Sequence, residues 1–387
     1  MTTRSLPLKY ALRAVNPGHV KMKGEVAQEA EDGLLPGYSA SGQDVWLRPA
    51  EAQFRGDGLI LSAVGARCGK VFVADSAQWG VVANTTVLVP QEGFDSRYLW
   101  YLVNDEHFWE KGGAAQPYIR VQETLKRRLP FPDLDEQRRI ADFLDAETRR
   151  IDSLVTLGNR QAALMAEKRD SLAFATVTRG LNATAQMTTV EDAWFRLMPK
   201  HWRLVAFRHL ALRANAGEVI DKSWWGDGDE LLFTCSRDPV ASDFRDFPVG
   251  KRAVENDLLV TRNATPYVHL PPIGSIYSNV IQRVTLPTHL NRRWARYSLE
   301  TASSSIHGYG VSIDTLNYGT WKALRLPVPP CQEQEEIARF LDDQVSSVAA
   351  DIASLRRRGE LLHERRQALV TAAVSGQLDV ATARGAA

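Results

Sequence analysis

The 387-residue chain has no run of 18 consecutive apolar residues, which argues against a membrane-crossing helix. Its opening, MTTRSLPLKYALRAV, lacks the long apolar core of a secretion leader. Cysteine is scarce: Cys68, Cys235 and Cys331 are too few and too scattered for a disulfide framework or a cysteine-rich metal site. A reducing cytoplasm is the expected location. Charge of one sign is also scarce, because the net charge is only +1. Lys plus Arg and Asp plus Glu balance at 15 and 15 over residues 1–134, and stand at 17 and 14 over residues 180–332. Any binding of phosphate must therefore come from local clusters rather than from the total. With 44% apolar residues and a mean hydropathy of -0.26, a chain of this length is expected to fold as two or three globular domains.

Catalytic patterns are missing as well. Gly65-Ala66-Arg67-Cys68-Gly69-Lys70-Val71 looks like a phosphate loop only superficially. It has three residues where such a loop has four, and Val71 stands where Ser or Thr would hold magnesium, so a strand turn is expected. Asn16-Pro17-Gly18 and Asn263-Ala264-Thr265-Pro266-Tyr267 hold fragments of amino-methyltransferase motifs. Neither has the Asn-Pro-Pro-aromatic arrangement, and no glycine-rich cofactor loop accompanies them. His201 and His209 are eight apart, without a cysteine or acidic partner at ligand spacing. The acidic groups Asp133, Asp135, Glu136 and Glu333, Glu335, Glu336 fall where helices should begin, and there they complement the helix dipole.

What the chain does have is a repeat. LDEQRRIADFLDAE at Leu134–Glu147 returns as CQEQEEIARFLDDQ at Cys331–Gln344. Leu129-Pro130-Phe131-Pro132 and Leu326-Pro327-Val328-Pro329 precede the two copies, and Glu167-Lys168-Arg169 and Glu364-Arg365-Arg366 follow them. The offset never changes, as a long packed helix requires, since one inserted residue would turn its apolar face by 100°. Leu341, Val348, Leu355, Leu362 and Leu369 recur every seven residues beside Ile337. Leu144, Ile151, Gly158, Met165 and Leu172 do the same beside Ile140. This spacing predicts two helices of about 40–45 residues, roughly 60–65 Å each, ending near Gly180 and Gly376. They are expected to pair antiparallel with one another, and with Ile140, Leu144, Ile151, Met165, Leu172, Ile337, Leu341, Val348, Leu355, Leu362 and Leu369 as their core.

The rest of the chain shows a fainter echo. Ala11-Leu12-Arg13-Ala14 returns as Ala211-Leu212-Arg213-Ala214, and Gly58–Ser62 parallels Asp257–Thr261. Gly69-Lys70-Val71-Phe72 is matched with Gly274-Ser275-Ile276-Tyr277. Short β-like runs separated by Gly- and Pro-rich turns give both halves a mixed α/β character. Basic residues gather at Lys126-Arg127-Arg128, Lys251-Arg252, Arg262-Asn263, and at Arg292, Arg293 and Arg296 around Trp294. These are the candidate DNA contacts, because Lys and Arg hold phosphates while Arg suits guanine and Asn adenine.

The doubled Leu-Pro-x-Pro…Glu-Gln-x-x-Ile-Ala-x-Phe-Leu-Asp segment resembles the conserved regions of the specificity subunit of type I restriction–modification systems. The likeness is sharpest at Leu129–Asp145 and Leu326–Asp342 and extends to about Gly180 and Leu378. Pro199-x-x-Trp202 resembles the opening of a target-recognition domain of that family. The resemblance implies two mixed α/β target-recognition domains, at 1–130 and 181–327. Helical regions at 131–180 and 328–387 would form the antiparallel coiled-coil spacer between them. It further implies double-stranded DNA as the ligand, read as two half-sites. Two modification subunits would supply S-adenosylmethionine and methylate adenine. Restriction subunits would use ATP and magnesium to translocate and cleave. The chain itself would bind no cofactor or metal and would meet no membrane. Two other readings compete: a coiled-coil adaptor that binds no DNA, and an enzyme with a site split between the domains. The second is weakened because the two copies keep no equivalent catalytic groups.

Overall fold

The computed structural model describes all residues except 1–3, 16, 18–19, 114–115, 263–265, 308–317 and 384–387, together with the side chains of 304–307 and 383. Two compact units emerge, Met1–Gly158 with Arg357–Ala387, and Asn159–Arg356. The sequence division at residues 130 and 327 falls inside the strands Arg128–Phe131 and Arg325–Val328, and that at 180 at the end of the helix Leu134–Arg179, whereas the compact units cut through the long helices. Each unit takes one globular head and part of both helices, because the apolar face of each helix part closes the core of a head.

In the first unit the head runs β1 (Arg4–Pro7), β2 (Leu12–Val15), β3 (Leu35–Ser39), β4 (Gly42–Leu47), β5 (Gly58–Ser62), β6 (Val71–Ala74), β7 (Gly80–Val81) and β8 (Thr85–Pro90). Helix α1 (Ser96–Val103), β9 (Lys111–Gly112), β10 (Tyr118–Ile119), α2 (Val121–Leu125) and β11 (Arg128–Phe131) lead into α3 (Leu134–Arg179). The sheet order is β2-β8-β5-β6, all antiparallel, with a second sheet β4-β3-β7 in which β3 and β7 are parallel. Strand β5, an interior strand of the first sheet, turns its two faces to two different cores. Its Leu59 and Leu61 join Leu12, Leu88, Tyr98 and Leu99, while Ile60, pointing the other way, joins Tyr38, Trp79 and Val81. Gly58 is required there, since a Cβ would stand 2.4 Å from the Trp79 ring.

The second unit repeats this plan. After β12 (Met187–Thr189) and β13 (Leu197–Pro199) come β14 (Arg203–Ala206), β15 (Arg213–Ala216), β16 (Trp225–Phe233), β17 (Val240–Ser242), β18 (Asp257–Thr261), β19 (Val268–His269), β20 (Ile276–Tyr277) and β21 (Ile281–Thr285). Then follow α4 (Arg292–His307), α5 (Tyr318–Ala323), β22 (Arg325–Val328), α6 (Cys331–Val374) and α7 (Val380–Ala383). Sheets β15-β21-β18-β19 and β17-β16-β20 reproduce β2-β8-β5-β6 and β4-β3-β7, and the pair β14-β22 reproduces β1-β11. The sequence echo at 58–62 and 257–261 is thus one strand twice. The match of Gly69–Phe72 with Gly274–Tyr277 is corrected. Tyr277 lies in β20, which pairs parallel with β16 and so corresponds to β7, while the counterpart of β6 is β19. A shared Gly-x-x-aromatic pattern had hidden a different topology.

The cores diverge where the topology does not. Asp257, fully buried, holds the place of Gly58, and Arg283, 5% exposed, holds the place of Val87. Arg283 Nε lies 3.7 Å from Asp257 Oδ2, and its Nη1 donates to the carbonyls of Lys251 (2.8 Å) and Arg252 (2.7 Å). Asp257 also accepts from the Thr285 hydroxyl at 2.6 Å and the Val254 N–H at 2.7 Å.

Helix α3 has 46 residues and α6 has 44, and both end at a glycine with φ of 75°, Gly180 and Gly376, as the sequence leads one to expect. Within each unit they pack antiparallel. In the first, Ile140 and Leu144 share a core with Leu369 and Ala373. In the second, Val177 shares a core with Ile337 and Leu341. Ile140, Leu144, Ile151, Ile337 and Leu341 are buried, while Met165, Leu172, Val348, Leu355, Leu362 and Leu369 are half-buried. Among the described residues no helix is long and apolar enough to cross a membrane.

The repeated fourteen residues have a concrete job. Gln137, buried near the start of α3, donates Nε2 to the Pro132 carbonyl (2.9 Å) and accepts the Asp95 N–H (3.0 Å) at the N-terminus of α1. Gln334 donates to the Pro329 carbonyl (2.9 Å) and accepts the Asn291 N–H (2.9 Å) at the N-terminus of α4. One aspartate per copy completes the joint. Asp145 accepts from the Tyr101 hydroxyl (2.8 Å) and Arg97 (2.9 Å), and Asp342 from the Tyr297 hydroxyl (2.7 Å) and Arg293 (3.0 Å). The doubled motif is therefore the seat of a head on a helix.

Candidate nucleic-acid interface

Two hairpin ends occupy equivalent places in the heads. Between β5 and β6, the loop 63–70 closes on itself: Gly69 N–H donates to the Ser62 carbonyl (2.9 Å) and Cys68 N–H to the Gly65 carbonyl (3.0 Å). Gly65 N–H donates to the Pro117 carbonyl, and Ile119 N–H to the Ala63 carbonyl, which braces the loop against β10. These backbone donors are spent on carbonyls, so the loop is the strand turn its spacing suggests, not a phosphate cradle. Arg67 and Lys70 project from it, exposed. Between β18 and β19, Arg262 donates to the Asn279 carbonyl (3.0 Å), Tyr267 N–H donates to the Thr261 hydroxyl (3.1 Å), and Arg237 stacks 5.4 Å over the Tyr267 ring. Asn263 lies outside the described residues, as do Asn16 and Gly18 of the other methyltransferase-like fragment.

The remaining basic candidates are largely engaged within the fold. Lys126 pairs with Glu123 at 3.0 Å, one helical turn away. Arg127 donates to the Phe108 carbonyl (2.6 Å) and covers its ring, while Arg128 donates to the Ser5 carbonyl at 2.5 Å, beside the β1-β11 ladder. Lys251 pairs with Glu218, and Arg252 makes a two-pronged contact with Glu230 at 2.7 and 2.9 Å. Arg292 donates to the Pro271 carbonyl at 3.2 Å. Arg293 binds Glu335 and Asp342, and Arg296 lies 3.7 Å from Asp342 while stacking on Tyr297. The structure thus brings Arg293 and Arg296 together at the seat of the second head, and leaves Arg262 at a hairpin end. Arg67 and Lys70 were not singled out from sequence. The signal available was their place after the strand that matches Asp257–Thr261. Among the described residues no group of three or more His, Cys, Asp or Glu side chains is placed to hold a metal ion.

A family model described as the type I restriction modification DNA specificity domain matches residues 50–160, from the approach to β5 into the first half of α3. Residues 50–160 are similar to that specificity domain. The fold extends the likeness. A solved chain described under "Structural basis underlying complex assembly and conformational transition of the type I R-M system" has a TM-score of 0.67 at 15% identity, covering 97% of this chain and 100% of that one. The HsdS subunit from Thermoanaerobacter tengcongensis has a TM-score of 0.50 at 16% identity, covering 97% of each chain. The chain thus resembles a type I DNA specificity domain over residues 50–160 and shares the fold of these solved chains over nearly its whole length.

Two buried titrating groups flank the second hairpin. His269, 4% exposed between Phe233 and Tyr267, is held down to about 4 by burial. Glu300 on α4 is pushed up to about 7 by burial, opposed by Arg296 and by its bond from the Val268 N–H. Linkage gives opposite signs over nearly one window. His269 contributes stability that is present above its unfolded value of about 6.5 and lost as pH falls toward 4, on the order of 3 kcal/mol in all. Glu300 contributes stability that is present below about 4.5 and lost as pH rises through 7, of similar size. The two slopes oppose one another in the unaltered protein and separate in single variants. Relative to it, His269→Phe should lose stability as pH rises from 4.5 to 7, and Glu300→Gln should gain it. Denaturant titrations at pH 5, 6 and 7 check this, and parallel profiles for all three proteins would contradict it.

Proposed function

We propose that the protein reads a bipartite duplex target, one half-site per head, and holds two modification subunits at the places where methyl groups are delivered. Those subunits would carry S-adenosylmethionine, and restriction subunits would bring ATP and magnesium. This chain would do no chemistry of its own, in a cytoplasmic complex acting on cellular DNA. The observation that carries this reading is one topology built twice, seated identically on the helices and filled differently. The hairpin ends differ in length and content, and Asp257 with Arg283 replace Gly58 with Val87. Two readers of unlike half-sites need this combination, whereas an adaptor has no use for divergent loops on matched frames. Leu164 and Leu361 support the pair of partners. They occupy the same position of the repeat and are 55% and 48% exposed, an apolar contact offered twice to two copies of one protein.

The test is selection from a random duplex library by the chain assembled with its modification subunits. Selected duplexes should share two fixed blocks separated by a gap of constant length and free sequence. One altered base pair within a block should weaken binding about 5- to 150-fold, while raising salt should weaken all duplexes together. Enrichment of no sequence, or of one uninterrupted block, would contradict the proposal and favour the adaptor.

A further inference from the structure

The seat of each head is connected to its hairpin end through equivalent residues. In the first unit, α3 holds α1 through Gln137, Asp142 and Asp145, and α1 in turn grips the base of the hairpin. Trp100 Nε1 donates to the Val71 carbonyl (2.8 Å), and the Val71 N–H donates to the Asn104 side chain (3.0 Å). In the second unit, α6 holds α4 through Gln334, Glu335 and Asp342, and Glu300 of α4 accepts the Val268 N–H. Strand register makes Val71 and Val268 counterparts, because Leu61 pairs with Val71 and Val260 with Val268. Two heads with different cores and different loops thus keep one line of contacts from long helix to hairpin.

The contacts in that line are directional. Apolar packing alone would hold a head to a helix yet leave it free to rock, since burial has no preferred angle. The glutamine fixes the first turn of the head helix against the start of the long one. The arginine reaches two carboxylates on the long helix, and the tyrosine hydroxyl adds a contact about one turn further along the head helix. Three polar contacts at separate points define an orientation, not only a proximity. Burial keeps the tyrosines protonated as donors, raising both hydroxyls, with Tyr101 pushed up to about 12.

We propose that Gln137, Arg97 and Tyr101, with their counterparts Gln334, Arg293 and Tyr297, are positioning residues that fix the angle of each reading hairpin on the helices. In doing so they set how strictly the target's gap length is enforced. This rests on the bipartite reading above. Loosening a seat lets its hairpin reach half-sites at neighbouring gap lengths while the bases it reads stay the same.

The experiment uses the full complex and a series of duplexes that keep both half-sites and vary the gap one base pair at a time. Tyr101→Phe with Tyr297→Phe removes only two hydroxyls, and Gln137→Leu with Gln334→Leu removes the link to the head helices. Preference for the best gap over its neighbours should fall about five- to thirtyfold for the tyrosine pair, at about fivefold for each hydrogen bond lost, and further for the glutamine pair. Preference within each half-site should stay unchanged. An undiminished gap preference in the tyrosine pair, or equal relaxation at every base of the half-sites, would overturn the proposal. If the glutamine pair fails to fold, the tyrosine pair decides alone. Absence of any two-block preference in the unaltered complex would instead overturn the reading beneath.

Discussion

Replacing Arg283 with leucine should cost the second unit about 3–5 kcal/mol, because it leaves Asp257 charged, fully buried and without its cation. The loss has a second source. Arg283 also supplies donors to the Lys251 and Arg252 carbonyls, which hold the turn before β18 in place. Adding Asp257→Asn should recover much of the loss. The amide keeps an oxygen for the Val254 N–H while removing the stranded charge, so the two changes should be strongly non-additive. Two compact units need not unfold together, which makes a single melting temperature a poor measure. Hydrogen exchange read on peptides from β18 and β21, beside peptides from β5 and β8, separates the units. Protection should fall in the first set and hold in the second. A loss below about 1 kcal/mol would mean that water already reaches this pair. The corresponding place in the first head needs no such network, since Gly58, Val87 and Trp79 fill it with apolar atoms.

Lengthening the helices should move the preferred gap. Four residues inserted in α3 after Gly158 and four in α6 after Arg356, at the boundaries between units, leave both cores intact. They add about 6 Å of helix, close to two base-pair steps of 3.4 Å, and about 40° of rotation. On the original target only one head can then engage, and affinity should drop about a thousandfold toward non-specific binding. A target with its gap longer by one or two base pairs should restore it, with both half-sites unchanged. Quantitative binding to a gap series provides the measurement. An unshifted optimum would show that the helices do not set the gap. Insertion in one helix alone should fail differently, since a lone four-residue insert leaves the two connections between the units unequal in length.

The helices were the most legible part of the chain. Their seven-residue stripes from Leu144 to Leu172 and from Leu341 to Leu369 survive as covered positions, and even Gly158 sits on the half-buried face. Local pattern suffices there because neighbours on a helix face are neighbours in sequence. The heads were harder, as shown by the mistaken match of Gly69–Phe72 with Gly274–Tyr277. Strand pairing is non-local, and only register showed that Ile276–Tyr277 runs beside β16. The seat was missed for a related reason. Asp95-Ser-Arg97-Tyr98-Leu-Trp-Tyr101 and Asn291-Arg-Arg293-Trp294-Ala-Arg-Tyr297 carry the same spacing of cap, arginine and two aromatics, 196 residues apart. Arg293 therefore read as a DNA contact by charge, although Glu335 and Asp342 occupy it. Charge in a sequence is visible; its countercharge, forty to fifty positions away, is not.

The ownership of the helix parts bears on how the molecule is made. Asn159–Arg356 is one unbroken stretch, whereas the other unit needs Arg357–Ala387 to cover Ile140 and Leu144. On the ribosome, the head encoded first must wait for the residues from Arg357 onward before its core closes. The one encoded second can finish ahead of it. Until then the nascent polypeptide carries an uncovered leucine and isoleucine stripe at Ile140 and Leu144, and a premature stop before Arg357 would damage the head built from residues 1–158.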